Sequence, residues 1–171
     1  AGLAILQIYD GGRIAKPELI GEQCLRAPSA VASLRPGAKT PRAMTSNEVE
    51  ILIASFREAA SLARKAGFDG VEIHGANHYA VHQFFSPRAN HRVDHWGGTL
   101  SKRMNFPLAV AQAVRDERII HDAQIVRFAV RLEINARGRP YGRCTAVVQI
   151  HVVSELVQRR RRNEVVRRDE V

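Results

Sequence analysis

The chain has 171 residues, 45% hydrophobic and 25% charged, the balance of a globular protein that can bury a core. It contains no run of 18 apolar residues, which excludes a membrane-spanning helix. The net charge of +9 is unevenly distributed. Residues 1–117 carry 14 Lys and Arg against 11 acids, whereas residues 118–171 carry 12 Arg, no Lys and 6 acids. A boundary is therefore expected near residue 118. Residues 1–117 would be the folded part and 118–171 an atypical Arg-rich tail, of the kind a frame-shifted reading or a truncated gene would leave.

The chain opens AGLAILQIYDGG, without Met and without the basic n-region and cleavage site of a signal peptide, so an interior start is expected. Cys24 and Cys144 have neither metal nor redox spacing and fit a reducing compartment, consistent with a cytoplasmic protein. Ala4 to Tyr9 reads as a short buried strand, with Ile5, Gln7 and Tyr9 on one face and Leu6 and Ile8 on the other. Gly11 to Ala43 has four prolines and no sustained periodicity. A connection of that length inside a domain is usually a functional lid or excursion.

Thr45 to Ala66 carries a helix signature. Thr45 and Glu48 make a capping box, and Val49, Leu52, Ile53, Phe56, Ala60 and Ala63 form one apolar stripe. Lys65 suits the C-terminal dipole and Gly67 can adopt the left-handed conformation that ends the helix. Gly70 to His74 follows at once as a strand. Strand, helix, strand at this spacing is a βαβ unit with parallel strands. Val71 and Ile73 would face helices, leaving Glu72 and His74 on the opposite face. A buried Glu is costly in a sheet covered on both sides, so this parity favours a closed (β/α) barrel, whose interior can hold polar layers. Ser101 to Arg115 reads as a second helix with Met104, Leu108, Ala111 and Val114 on one face. Pro107 suggests a start near Phe106. Gln124 to Leu132 and Thr145 to Val153 are candidate strands.

The stretch from Gly67 to Gly98 concentrates the chemistry. His74, Asn77 and Tyr79 lie just past a strand end, where α/β proteins build sites. Imidazole and carboxamide N–H groups aimed at one point would polarise a carbonyl oxygen, and a phenol could deliver a proton to the neighbouring carbon. On spacing alone, strand-end capping with a Tyr packed at the rim accounts for the same residues.

GFDGVEIHGANHY, then QFFSPRANHRVDHWGG and a helix opening with Lys-Arg, resembles the old yellow enzyme family. The similarity extends upstream through ILQIYDGGRIAKPE, APSA and TPRAMT, covering roughly residues 4–115. The resemblance implies a (β/α)8 TIM barrel, FMN as cofactor and NAD(P)H as reductant, with hydride passing through the flavin to an activated alkene such as an α,β-unsaturated carbonyl. It implies that His74 and Asn77 bind the substrate carbonyl, that Tyr79 is the proton donor, and that Gln7 contacts the flavin pyrimidine edge. Asp10 stands where many relatives have His. The partners implied are small-molecule substrates, with homo-oligomers occurring in the full-length family. The chain would cover roughly strands three to five of the eight, without the phosphate site formed after strands seven and eight. Alone, it is expected to bind FMN weakly or not at all.

The same sequence admits three other readings. His74, His78 and His82 have i, i+4 spacing, but Gly75 and the preceding strand argue against the helix a shared metal would need, so no metal is expected. Arg159 to Arg162 with Arg167-Arg168 could neutralise phosphates. Without interleaved aromatics they read as a solvated tail, so nucleic acid is not expected as a partner. A catalytically inactive fragment is compatible with the same family.

Overall fold

In a computed structural model of the chain, residues 4–117 are described in full, and beyond them the backbone of two strands, Ile125–Glu133 and Thr145–Val153. The order begins β1 (Ile5–Ile8), α1 (Pro17–Ile20), β2 (Arg26–Ala27) and β3 (Arg42–Ala43). It continues with α2 (Ser46–Lys65), β4 (Gly70–Gly75), α3 (Ala80–Phe85), α4 (Leu100–Asp116), β5 (Ile125–Glu133) and β6 (Thr145–Val153).

α2 forms as its sequence dictates. The Thr45 hydroxyl accepts from the Glu48 N–H at 3.2 Å, and the Glu48 carboxylate accepts from the Thr45 N–H at 2.8 Å. Two donors that a helix start leaves unpaired are thereby satisfied. All six residues of the expected stripe are buried. Gly67, at φ +86°, sits just past the end, where a side chain would be strained.

The helix returns the chain to a strand parallel to the first, as expected. β1 pairs with β4 in the register Gln7–Glu72 and Ile8–Ile73. β4 pairs with β5, also parallel, with Glu72 opposite Arg127 and His74 opposite Ala129. β6 then departs from an all-parallel barrel, pairing antiparallel with β5. Antiparallel neighbours need no crossover, and only residues 134–144 separate the two strands. Both candidate strands are thus present, each within a residue of the expected bounds.

One face of the sheet is covered by helices. Ile8, Val71 and Ile73 join Leu52, Phe56, Phe84, Phe106 and Val110 in a single apolar core. The Phe84 and Phe106 rings stack at 3.9 Å, fully buried. The stacking adds about 0.5–1.5 kcal/mol to the burial of the two rings. The opposite face carries Gln7 and Tyr9, both exposed, with the half-buried Glu72 and His74.

Two expectations need correction. α4 starts at Leu100, capped by the Thr99 hydroxyl, rather than near Phe106, and Pro107 lies inside it. Its buried residues are Phe106, Pro107, Val110, Ala113 and Val114, while Leu108 is 58% exposed. The stack on Phe84 sets this phase, which the Met104–Leu108–Ala111 spacing missed. The 11–43 connection is also more ordered than a patternless loop. β2 and β3 form a small parallel pair, through Arg42 N to Leu25 O and Met44 N to Ala27 O, both 2.9 Å.

Arginines brace this excursion internally and fasten it to the rest. Arg13 Nη1 donates to the carbonyls of Val31 and Ala32, each at 3.2 Å. Arg92 donates to the carbonyls of Pro28 and Met44, to the Ser46 hydroxyl, and to both oxygens of Asp94. Among the described residues no helix is long and apolar enough to cross a membrane.

Candidate active site

Because β1 and β4 are parallel, the segments that follow them leave the sheet at the same edge. After β1, the Asp10 carboxylate accepts from the Gly12 N–H at 2.8 Å and lies 3.7 Å from Arg26. The Asp10 carbonyl accepts from the Ala80 N–H at 2.9 Å, which joins this loop to the one after β4. Asp10 therefore organises the loop.

After β4 the chain turns sharply. Asn77 and His78 both adopt left-handed backbone, at φ +55° and +64°, a conformation uncommon outside glycine. The turn brings Tyr79 back over the strand end, where it precedes the first residue of α3. The Tyr79 and His74 rings lie 4.9 Å apart, and the Asn77 Nδ2 is 3.5 Å from His74 Nε2. Tyr9 completes the group, 4.7 Å from Tyr79 and 6.3 Å from His74.

The His74 imidazole is held below its ordinary pKa by burial, against the opposing charge of Glu72, and the lowered pKa favours the neutral ring. Its Nδ1 is buried and has no hydrogen-bond partner among the described residues. A contact of 3.5 Å is at the limit of a hydrogen bond. It leaves room for one oxygen to accept from both Asn77 Nδ2 and His74 Nε2, if the imidazole carries its proton on Nε2. Such an arrangement can polarise a carbonyl. Tyr79 is half-buried beside it.

The structure thus brings His74, Asn77 and Tyr79 together. Gln7 lies on the same sheet face, in register with Glu72 and so two residues before His74 along the strands. Its amide is exposed and makes no hydrogen bond to the described residues, a fit for one edge of a planar polar ligand such as a flavin. Sequence reasoning gave no role to Tyr9, although its parity with Gln7 was visible. It also missed Gln83, only 1% exposed, which bridges the two loops and left no local signal.

The histidines do not converge on a metal. His78 and His82 stack at 4.8 Å, with the His78 N–H donating to His82 Nδ1, while His74 packs with the tyrosines. Among the described residues no three His, Cys, Asp or Glu are grouped to hold an ion. The tail arginines, Arg159 to Arg162 with Arg167-Arg168, lie outside the described residues. A separate open groove of about 410 Å³ is lined by residues including Pro28, Val31, Ala43, His91 and Asp94, none of them in the site above.

A parallel βαβ unit with a polar cluster at its strand ends is an architecture that many enzyme families share, and it does not by itself fix the chemistry. The sequence decides among them. Residues 1–164 match the NADH:flavin oxidoreductase / NADH oxidase family, and the chain belongs to it. It is 56% identical over 107 residues to an NADH:fumarate oxidoreductase of Klebsiella pneumoniae, covering 63% of this chain and 12% of that protein. It is 46% identical over 112 residues to a probable NADH-dependent flavin oxidoreductase of Bacillus subtilis, covering 66% and 30%.

Among solved structures, the old yellow enzyme homologue from Zymomonas mobilis superposes with a TM-score of 0.64 at 33% identity, over 74% of this chain and 38% of that one. Morphinone reductase in complex with tetrahydroNAD gives 0.63 at 32% identity, over 74% and 39%. The described α/β architecture is therefore part of an old yellow enzyme barrel. The chain spans between about a tenth and a third of the length of these curated relatives. FMN with NAD(P)H as reductant is the cofactor set of the family.

Proposed function

We propose that this chain contributes the substrate-binding corner of an FMN-dependent NAD(P)H oxidoreductase that reduces an activated alkene, an α,β-unsaturated carbonyl compound. The observation that carries the proposal is the convergence of His74 Nε2 and Asn77 Nδ2, 3.5 Å apart, beside the Tyr79 ring. FMN, when bound, supplies the relay of a hydride from NAD(P)H to the β-carbon of the alkene. Gln7 would hold the flavin at its pyrimidine edge. His74 and Asn77 donate to the carbonyl oxygen, drawing electron density from the double bond, and Tyr79 delivers the proton to the α-carbon. One hydride and one proton together saturate the bond while NAD(P)H is oxidised. The relatives named for fumarate and acrylate support this substrate class, since both are α,β-unsaturated acids.

The same reading assigns the described strands β1, β4 and β5 to roughly strands three to five of the barrel and keeps residues 118–171 as a distinct Arg-rich segment in a cytoplasmic protein. Protease protection mapping tests the boundary: a resistant core ending near residue 117 supports it, and one reaching residue 171 overturns it. FMN titration followed by flavin fluorescence tests the chain by itself. Weak or absent binding is expected, because strands three to five leave out the phosphate site formed after strands seven and eight, and tight stoichiometric binding would refute that.

The site roles are tested in the whole protein loaded with FMN, with 2-cyclohexen-1-one as the probe alkene. Tyr79→Phe is expected to lower kcat for the alkene by about 10²–10⁴-fold, the usual contribution of a positioned acid. Bleaching of the flavin by NADH should be unchanged. Full alkene turnover in that variant would exclude Tyr79 as the proton donor.

A further inference from the structure

We propose that Gln83 is a positioning residue for the His74–Asn77 pair, acting through the backbone of His78. The inference rests on the functional reading above only in the purpose it assigns to that pair.

Gln83 touches neither proposed ligand, yet its amide is fully engaged. Nε2 donates to the His78 carbonyl at 2.6 Å and to the Gly11 carbonyl at 3.2 Å, and Oε1 accepts from the Arg13 N–H at 3.1 Å. Both N–H groups and the oxygen face complementary partners. A flipped amide would set Oε1 against two carbonyls and Nε2 against an N–H, so a single orientation survives. The loop after β1 is moulded onto this amide. Gly12, at φ +52°, approaches so closely that a Cβ would lie 2.3 Å from Oε1.

His78 is held at both ends of its residue by neighbours on α3. Its N–H donates to His82 Nδ1 at 3.0 Å and its carbonyl accepts from Gln83. Asn77 and His78 are both left-handed. Asn and His tolerate that region better than most side chains, but two in succession still carry a cost that neighbouring contacts must offset. The clamp supplies such contacts. Asn77 immediately precedes the clamped residue, and from this turn its side chain reaches His74. An amide buried merely to fill the core would make no such connection. Gln83 makes two, to the loop after β1 and to the turn that aims Asn77.

The test uses isotope-labelled 171-residue chain at neutral pH, read by NMR. In the unaltered protein, the Gln83 side-chain amide protons should exchange with solvent at least about tenfold more slowly than those of the exposed Gln23. An unprotected amide overturns the proposal whatever the variants do. Gln83→Glu keeps the shape and removes both donors, and Gln83→Met removes all polarity. In each, the backbone couplings of Asn77 and His78 should leave the left-handed range, and the cross-peak between the Asn77 amide and the His74 ring should vanish. Resonances of α2 should stay in place.

Retention of the couplings and the cross-peak in folded Gln83→Glu reduces Gln83 to core packing and sinks the proposal. Should both variants fail to fold, the exchange measurement decides. Flavin binding and turnover enter none of these readouts, so their failure would count against the functional reading alone.

Discussion

Arg92→Met isolates the contacts that fasten the excursion to the βαβ unit. The Arg92 side chain is 9% exposed. It donates to the Pro28 carbonyl at 3.1 Å and to that of Met44, and both residues are buried. Met keeps much of the apolar stem, so the loss is mainly polar. Each buried carbonyl stripped of its donor costs about 1–3 kcal/mol, and water entering beside a shorter side chain recovers part of that. Asp94 adds little. Its carboxyl is held at about 2 by Arg92, but its side chain is 36% exposed and solvent screens most of the pair. The pair therefore contributes under about 1 kcal/mol, and the carbonyls dominate.

The expected loss is about 3 kcal/mol, measured by urea denaturation of the 171-residue chain. Asp94→Asn alone should cost less than about 1 kcal/mol, and the double variant little more than Arg92→Met. A loss below about 1 kcal/mol for Arg92→Met would show that the two carbonyls are satisfied without it.

Two further outcomes follow from the caps and ion pairs. Thr45→Ala removes one acceptor and one arm of the capping box, and should destabilise the chain by about 1 kcal/mol in the same urea assay. No measurable change would mean that water caps α2 equally well. Glu48 and Asp94 are both held at about 2, below ordinary values of 4.5 and 3.8, Glu48 mainly by the Arg42 hydrogen bond and Asp94 mainly by that of Arg92. Folded carboxyls of depressed pKa bind protons later than unfolded ones, so their contribution is intact at neutral pH and is lost as pH falls from about 4.5 towards 2. Stability should drop across that window, and Glu48→Gln or Asp94→Asn should flatten the drop. An unchanged slope in both variants would remove these pairs as its cause.

What the sequence revealed follows from the range of the interactions involved. α2 was legible because its cap and its stripe are written within a few residues of one another, and so was the parallel return to β4. The face shared by Gln7 and His74 was legible for the same reason, since alternation along each strand fixes it. The phase of α4 was not, because Phe106 is turned inward by Phe84, which no period within the helix encodes.

The excursion was harder still. Its order comes from Arg13 and Arg92 reaching carbonyls 18 to 64 residues away, contacts between a side chain and a backbone that carry no residue preference at the acceptor. A segment held this way reads as patternless. Gln83 belongs to the same category: it looked like one polar position in a helical run, yet its acceptors lie 5 and 72 residues away.

The site shows both cases in one place. His74 was readable because strand parity exposes it on a face where a polar residue needs a reason. Asn77 and Tyr79 were readable only through resemblance, because the left-handed turn that brings them to His74 is specified from α3 and from the loop after β1. A sequence can carry every residue of such a site while the restraints that converge them lie elsewhere in the chain. Substitutions at those restraints are therefore where the proposed chemistry is most exposed to loss.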